Sequence, residues 1–268
     1  MVEARRGMDS PVSLMATLGG MHRGHEVLLD EARAAGRTLV ASLFLNPTQF
    51  APGEDLDRYP VDTERDLAIF RAKGVDIVFM PSVEEMYPPG DDASMDPGQV
   101  GDVLEGVHRP GHFRGVATIV AKICSTIRPH IAVWGAKDAQ QNVVIQNVTD
   151  VLGMRVDHRI IPTVRDDDGV ALSSRNRYLS SEERRAAPAL YRGLQEAQEL
   201  WNSGEVDPAA LKASVEAASA HEDLIQLDYV SVADPLTFVE LERSRSGAVV
   251  SLAADLGGAR LIDNIVLK

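Results

Sequence analysis

The sequence is poor in residues that carry thiol or covalent chemistry. Its 268 residues include a single cysteine, Cys124, which excludes a disulfide within the chain and a cysteine-based zinc site. Cys124 lies in the apolar run GVATIVAKICSTI, where we expect a small buried hydrophobic side chain. We find no Ser-His-Asp arrangement, GxSxG turn or Walker sequence. These absences favour catalysis by positioning and electrostatics over a covalent nucleophile on the protein.

Long apolar segments are also missing. No stretch approaches the roughly 18 apolar residues of a membrane span. The first residues, MVEARRGMDSPVS, contain no apolar core of the kind that a signal peptide requires. We therefore expect a cytoplasmic protein with no membrane partner.

Positive charge is scarce. The chain has 27 lysine and arginine residues against 40 aspartate and glutamate residues, a net charge of −13. An acidic surface repels a phosphate backbone, so nucleic acid is a poor candidate partner. A small anion such as ATP is not excluded, because a few local cations and a helix N-terminus can bind it.

Apolar runs and helical patterns alternate through the first 160 or so residues. Strands are predicted at 12–18, 38–45, 75–80, 131–134 and 156–161, and helices at 25–36, 62–73, 114–128 and 138–152. Thr63 and Asp66 stand at capping-box spacing near the start of the second helix. This order predicts an α/β, Rossmann-like, doubly wound parallel sheet, in which ligands bind at the carboxyl ends of the strands.

The pattern changes after Pro162. Helices are predicted at 181–201 and 208–220, and strands at 227–232, 248–252 and 260–266. The polar segment VRDDDGVALSSRNRYLS precedes them and has the composition of a hinge. We therefore predict a nucleotide- and substrate-binding domain over residues 1–163 and a smaller C-terminal α+β lid domain over 164–268.

Polar clusters follow the predicted strands. In TLGGMHRGH, the glycines let the backbone approach a ligand, and His22 and His25 would share one face of a helical turn. Imidazoles at a helix N-terminus can donate hydrogen bonds to phosphate and neutralise a developing pyrophosphate charge. A glycine-rich turn with incidental histidines is the alternative. A metal site is less favoured, since no third ligand lies nearby.

Three further clusters complete the pattern. NPTQF follows the second strand and offers the neutral groups of Asn46 and Gln49, although turn chemistry alone explains Asn-Pro. WGAKDAQQ follows another strand; Lys137 supplies a charge for phosphate, and Asp138 is a reasonable helix N-cap. LSSRN lies in the hinge, where its hydroxyls and arginine could close over a triphosphate or simply be solvated.

The motifs carry a family resemblance. The HxGH turn resembles the signature of the nucleotidyltransferase superfamily, and the Leu-Ser-Ser-Arg loop is similar to its second signature. The chain more closely resembles the pantothenate synthetase (pantoate–β-alanine ligase) family along nearly its whole length. The matching segments are TLGGMHRGHEVLL, LFLNPTQFAPGEDLDRYP, GVDIVFMPSVEEMYPPG, LEGVHRPGHFRGVATIVAKI, WGAKDAQQNVVIQNV, PTVRDDDGVALSSRNRYLS, DYVSVADPLTF and RLIDNI.

The resemblance implies a two-step reaction. Pantoate attacks the α-phosphorus of ATP with Mg²⁺, giving pantoyl-adenylate and pyrophosphate, and β-alanine then displaces AMP to give pantothenate. The implied catalytic residues are His25, His22, Lys137 and Arg175. The implied ATP-binding residues are Leu18, Gly19, His22, Gly24, His25, Gly135, Ala136, Lys137, Asp138, Val164, Leu172, Ser173, Ser174 and Arg175. Gln49, Gln141, Asn46 and Phe50 are implied for substrate binding, His112 is a lesser candidate near phosphate, and the family implies a homodimer.

The chain departs from the family pattern beside the expected ATP site. Ala136 stands where the family usually has glutamate, and Ala139 where it has tyrosine or phenylalanine. These departures leave open a non-catalytic nucleotide-binding descendant of the ligase. The superfamily resemblance leaves open a second alternative, a related nucleotidyltransferase without an amine step. The paired Gln49 and Gln141 argue against the second, since they favour a small hydroxy-acid pocket.

Overall fold

The computed structural model describes all 268 residues. Its helices are α1 Val2–Arg6, α2 Arg23–Ala35, α3 Thr63–Ala72, α4 Val83–Met86, α5 Glu105–His108, α6 His112–Ile127, α7 Ala139–Val151, α8 Ser181–Ala186, α9 Pro188–Asn202 and α10 Pro208–Ser219. Its strands are β1 Val12–Thr17, β2 Thr38–Leu43, β3 Ile77–Phe79, β4 Ile131–Gly135, β5 Asp157–Ile161, β6 Gln226–Ala233, β7 Val249–Leu256 and β8 Ala259–Val266. No helix has both the length and the apolar character needed to cross a bilayer.

The first five strands form one parallel sheet in the order β3-β2-β1-β4-β5. The chain builds outward from β1 to β3 and then returns to place β4 on the other side of β1. Strand order therefore reverses between β1 and β4, and such a switch point opens a crevice at the carboxyl ends of the strands. The segments that follow β1 and β4 flank that crevice.

Successive side chains of a strand point to opposite faces of the sheet, so a buried parallel sheet has apolar side chains on both faces. Helices cover each face. Leu14 belongs to an apolar cluster with residues of α6 and α7, including Cys124, which is 0% exposed. Its neighbour Met15 belongs to a second cluster, with Leu29 of α2 and Phe70 of α3. The predicted α/β doubly wound fold and the buried cysteine are both confirmed.

The C-terminal part forms a second, smaller sheet. Strands β6, β7 and β8 are antiparallel in that order. Their apolar face packs with α9 and α10 in a separate core that includes Leu194, Leu211 and Leu252. This arrangement confirms the predicted change from α/β to α+β architecture.

Two local predictions are wrong. The helix predicted over 181–201 is broken: α8 ends at Ala186, and α9 begins at Pro188, because proline lacks an N–H and restricts the residue before it. The predicted Thr63–Asp66 capping box is also absent. Asp62 caps α3 by accepting from the Arg65 N–H at 3.1 Å, and Asp66 points instead toward the turn after β1.

Candidate active site

A glycine turn links β1 to α2. Gly19 and Gly20 have φ values of +100° and +68°, a region that L side chains rarely adopt. A Cβ on Gly20 would also lie 2.9 Å from the carbonyl oxygen of Pro60. The carboxylate of Asp66 accepts the Gly20 N–H at 2.8 Å and the Met21 N–H at 2.9 Å. The turn is therefore fixed by side-chain contacts before it reaches the histidines.

His22 and His25 form a reciprocal cap at the start of α2. The Nδ1 atom of His22 accepts the Gly24 N–H at 3.1 Å, and the Nδ1 atom of His25 accepts the His22 N–H at 3.3 Å. The ring centroids are 4.0 Å apart. Because each Nδ1 accepts, we assign the proton of each neutral ring to Nε2. Each ring therefore has an Nε2–H donor available to a ligand, apart from a 3.4 Å contact between His25 and the hydroxyl of Thr17.

The electrostatic environment keeps both rings neutral. Burial lowers the pKa of His22 to about 4, and the nearby Lys137 and Arg177 contribute to the shift. Burial also holds the pKa of His25 well below its usual value, with His22 and Lys137 adding to the effect. In the unliganded protein the pair therefore donates hydrogen bonds without carrying the positive charge expected from the sequence. A bound polyphosphate would raise both pKa values by attraction.

The turn after β4 lies across the crevice from the histidine turn. No atom lies within 4 Å of the position that a Cβ on Gly135 would occupy, so this residue leaves open space. Asn264 of β8 donates to the carbonyl oxygens of Ala136 at 3.1 Å and Lys137 at 2.7 Å. Asp138 occupies the N-cap position of α7, but its side chain makes no capping bond. The predicted N-cap position is therefore confirmed without a capping bond, and the carboxylate lies in the cleft wall, 3.7 Å from the Lys137 Nζ atom.

Gln49 is positioned by the segment after β2. Asn46 is 0% exposed and donates from Nδ2 to the Gln49 Oε1 atom at 3.1 Å and to the Gly115 carbonyl at 3.2 Å. Its own Oδ1 accepts from the Tyr87 hydroxyl at 2.8 Å. Asn46 is thus buried below the cleft and orients Gln49, whose Nε2 donors stay available. Asn46 itself is not in the wall of the cleft, and its contact with substrate stays a prediction.

Two other candidates, Phe50 and His112, are held by contacts within the protein. The ring of Phe50 packs edge-on against Tyr59 at 5.9 Å, beside the Arg175 guanidinium. The Nδ1–H of His112 donates to the Gln49 carbonyl at 2.8 Å, and its Nε2 accepts from Arg109 at 3.1 Å. Burial, and then Arg109, lowers the pKa of His112 to about 4. With both nitrogens engaged, His112 supports the Gln49 backbone.

The Leu-Ser-Ser-Arg loop is docked against the first half of the chain. Ser174 is buried and donates to the Gly20 carbonyl at 2.9 Å, while the Ser173 hydroxyl accepts the Arg175 N–H at 3.3 Å. Arg175 makes a two-point ion pair with Asp55, with both contacts at 2.8 Å. The loop therefore closes the site through protein contacts, and the Ser174 hydroxyl is used in one of them.

These elements enclose one cleft of about 260 Å³. The predicted residues that line it are Leu18, His22, Gly24, His25, Gln49, Gly135, Lys137, Asp138, Gln141, Val164, Leu172, Ser173, Ser174 and Arg175, together with His112. Gly19, Ala136, Asn46 and Phe50 are not in its wall. The first two still shape it, since Gly19 belongs to the positive-φ turn and Ala136 gives a carbonyl to Asn264.

Several lining residues were not found from the sequence. They include Tyr59, Glu105, Arg109, Gln140, Tyr229, Asp263 and Asn264. Glu105 is 6% exposed and pairs with Arg260 through contacts of 2.6 and 2.7 Å. Glu105 and Asn264 lie in the segments LEGVHRPGHF and RLIDNI, and the match of these segments to the family could have indicated that they are functional. Their hydrogen-bond partners could not be predicted, because those partners are distant in the sequence.

The geometry defines a class of protein. A parallel sheet with a glycine–histidine turn, a lysine-bearing turn and a closing Ser-Ser-Arg loop at its switch point is an enzyme of the HxGH kind. Residues 1–266 match the family described as pantoate-beta-alanine ligase. The chain belongs to that family, and it is a ligase that joins pantoate to β-alanine.

Curated relatives agree along nearly the whole chain. The pantothenate synthetase of Chloroflexus aurantiacus is 48% identical over 267 residues, which cover 99% of this chain and 95% of the relative. The pantothenate synthetase of Dehalococcoides mccartyi is 44% identical and is covered completely.

Solved structures agree as well. The crystal structure of pantothenate synthetase from Thermus thermophilus has a TM-score of 0.94 and 42% identity, with 99% of this chain and 96% of that chain covered. The pantoate-beta-alanine ligase from Francisella tularensis, solved in complex with beta-gamma ATP and β-alanine, has a TM-score of 0.81 at 28% identity, with 98% and 93% covered.

Proposed function

We propose that this ligase activates pantoate with ATP and passes the acyl group to β-alanine. ATP is the co-substrate, as in the Francisella tularensis relative solved with beta-gamma ATP. One observation carries the mechanism. The Nε2–H donors of His22 and His25 share a cleft with Lys137 and with the amides of Gln49 and Gln141. Phosphate-binding and acid-binding groups therefore line the same space.

In the first step, a carboxylate oxygen of pantoate attacks the α-phosphorus of ATP, and the bond to the β-phosphate oxygen breaks. Negative charge develops on the departing pyrophosphate. His25 donates from Nε2 to that oxygen, and His22 and Lys137 bind the other phosphate oxygens. Preorganised donors of this kind stabilise a developing charge without reorganisation. The low pKa of both histidines means that the incoming polyphosphate, not a permanent positive charge, sets their protonation.

In the second step, the amine nitrogen of β-alanine attacks the acyl carbon of pantoyl-adenylate. AMP leaves with the bonding electrons, and the nitrogen loses a proton. Gln49 and Gln141 hold the pantoyl group through neutral donors and acceptors, which suit hydroxyls and a carboxylate. Asn46 fixes the Gln49 amide at 3.1 Å, so the donor that faces the acid is held in one orientation.

Magnesium fits this cleft only as a companion of the nucleotide. No group of three or more histidine, cysteine, aspartate or glutamate side chains is arranged to hold a metal. Glu105 and Asp263 are paired with Arg260 and Arg165, so Asp138 is the cleft carboxylate without an arginine partner. Mg²⁺ bound mainly by phosphate oxygens is the usual mode for a nucleotide, and it would neutralise phosphate charge.

We assign the nucleotide- and pantoate-binding role to residues 1–163 and the lid role to residues 164–268. Val164 and Leu172 would border the adenine, and Arg175 would bind the triphosphate beside Asp55. The family resemblance supports a homodimer in the cytoplasm.

The direct test is pyrophosphate release from ATP and D-pantoate with magnesium, with and without β-alanine. Release should require pantoate, and it should continue over many turnovers only when β-alanine is present. ATP binding without release under any of these conditions would support the non-catalytic alternative and overturn the proposal.

A further inference from the structure

The carboxylate of Asp66 accepts hydrogen bonds from the turn that precedes His22 and His25. Asp66 lies on α3 and is 0% exposed. One oxygen accepts the Gly20 N–H at 2.8 Å and the other accepts the Met21 N–H at 2.9 Å. Hydrogen bonds between an ionised carboxylate and backbone N–H groups are roughly twice as strong as neutral ones. These two N–H groups therefore face the protein interior and are not donors for phosphate.

The carbonyl oxygens of the same two residues are bound from the other half of the chain. Ser174 donates to the Gly20 carbonyl at 2.9 Å, and Arg177 donates from Nη2 to the Met21 carbonyl at 3.1 Å. A Cβ on Gly20 would lie 3.2 Å from the Ser174 hydroxyl oxygen, which shows how closely the loop approaches. The N–H groups of Gly20 and Met21 are thus hydrogen-bonded to α3, and their carbonyl groups are hydrogen-bonded to the Ser-Ser-Arg loop and the residues that follow it.

We propose that Asp66 and Arg177 are positioning residues of this ligase, which fix the His22–His25 pair by holding the Gly20 and Met21 backbone between the two halves of the chain. Neither side chain lines the cleft, so neither is a catalytic residue. The inference rests on the proposed function, because it gives the histidines their role at phosphate.

The arrangement has a mechanical consequence. His22 follows Met21 directly, and the His22 N–H is itself the donor to His25. A rotation of the Met21–His22 peptide therefore moves both rings together. Undocking of the loop would remove the two carbonyl contacts and leave the two Asp66 contacts, so the turn would lose half of these restraints. Loop closure and histidine alignment are in this way coupled.

The first pair of variants tests the N–H side. Asp66→Asn keeps the shape of the side chain, but its amide has one acceptor oxygen, and its NH₂ group would face a second N–H. Asp62→Asn is the matched control, because Asp62 is the carboxylate that caps the same helix and accepts only from Arg65. Pyrophosphate release should fall by about 10- to 100-fold in Asp66→Asn, as for a misplaced catalytic group, with the pantoate KM changed less than the turnover rate.

The second pair tests the carbonyl side and remains informative if Asp66→Asn fails to fold. Arg177→Gln removes the contact to Met21, and Arg192→Gln is its control, since Arg192 of α9 pairs with Glu222 away from the turn. Pyrophosphate release should fall several-fold in Arg177→Gln and stay near the wild-type rate in Arg192→Gln.

An NMR titration of the histidine rings in unliganded protein gives a readout that does not depend on activity. The pKa of His22, about 4 in the wild type, is lowered by burial and by Lys137 and Arg177, and it is raised by Asp138 and Asp166. Arg177→Gln removes one of these cations, which raises this pKa whether or not the ring moves. Asp66 is not among these groups, so a raised pKa in Asp66→Asn would report a ring that has left its buried position. A change in stability alone would leave the folded-state pKa where it is.

The outcomes separate the two proposals. Variants Asp66→Asn and Arg177→Gln within twofold of the wild-type rate, with an unchanged His22 pKa in Asp66→Asn, would overturn the positioning role. A wild-type protein that releases no pyrophosphate would overturn the proposed function, and the His22 titration in Asp66→Asn would then decide the positioning role by itself.

Discussion

Replacing Gly24 with alanine should separate activity from stability. Gly24 is the second residue of α2, and a Cβ there would lie 2.9 Å from both Nδ1 and Cε1 of His22. Neither distance is tolerable for a carbon atom, and the ring is the part that can move. The cap bond from the Gly24 N–H to His22, now 3.1 Å, would be broken or badly stretched.

The effect on stability should be small because two terms oppose each other. Loss of an N-cap bond costs about 0.5–2 kcal/mol. Alanine in place of glycine within a helix contributes about 0.8–1 kcal/mol. The free energy of unfolding should therefore change by no more than about 1 kcal/mol. A ring displaced by a large fraction of an ångström acts differently on chemistry, since about 1 Å of misplacement can cost about 100-fold in rate.

The assay is pyrophosphate release at saturating ATP and pantoate, together with a urea unfolding curve. Gly7→Ala is the control, because Gly7 has φ −95°, lies at the end of α1 and leaves 3.7 Å to the nearest atom. We expect release to fall by about 10- to 100-fold in Gly24→Ala and to be unaffected in Gly7→Ala. A fully active Gly24→Ala protein would refute the assignment of His22 to the phosphates.

Four other variants test the same geometry. His25→Ala should lower pyrophosphate release by about 10²- to 10³-fold without unfolding, and wild-type turnover would contradict its role. Gln49→Ala should raise the pantoate KM more than the ATP KM; an effect confined to ATP would contradict it. Asn264→Ala should raise the ATP KM, because it frees the backbone around Lys137, and unchanged ATP kinetics would speak against that support. The pKa of His112 is about 4 in the folded protein and about 6.5 in the unfolded chain. The neutral ring therefore contributes stability that is complete above about pH 6.5 and is lost as the pH falls toward 4. In urea titrations, His112→Gln should reduce the dependence of the free energy of unfolding on pH in this range by up to about 1.4 kcal/mol per pH unit.

Hydrophobic periodicity was enough to predict most of the elements and the fold class. Strand β2 is buried along its whole length, so its near-continuous apolar run was typical of a central parallel strand. The switch between β1 and β4 follows from strand order, which the alternation of elements favours but does not fix. Polar clusters that follow strands must meet at one edge of a parallel sheet, and the structure brings His22, Gln49 and Lys137 to the same cleft.

Long-range partners could not be predicted. Asp66 looks like part of a helix cap because its local spacing fits one, yet its hydrogen-bond partners are 45 and 46 residues away. Glu105 and Arg260 are 155 residues apart in sequence, and nothing in either segment indicates that they pair. A pattern reports local periodicity and composition, whereas these contacts depend on how the two halves of the chain dock.

The departures at Ala136 and Ala139 have different structural meanings. Ala136 contributes its carbonyl to Asn264 at 3.1 Å, and its side chain is not in the cleft wall. The missing glutamate therefore removes a charge near the site but leaves the turn intact. Ala139 does line the cleft and packs against the apolar cluster of α6 and α7. A smaller side chain there leaves more space in the cleft next to Lys137. This change therefore affects how a ligand fits in the cleft more than it affects the backbone.

In the proposed role of Arg175, its ion pair would let an acidic chain present positive charge to a nucleotide. Asp55 engages the Nε and one terminal nitrogen of the guanidinium, which leaves Nη1 without a protein partner. An arginine held on one edge keeps its position while its free edge meets a phosphate, because the planar group has five donors in a fixed geometry. Asp55 thus does more than neutralise Arg175. It holds the arginine of one half of the chain against the other half. The contact that closes the Leu-Ser-Ser-Arg loop therefore also orients the free donors of Arg175.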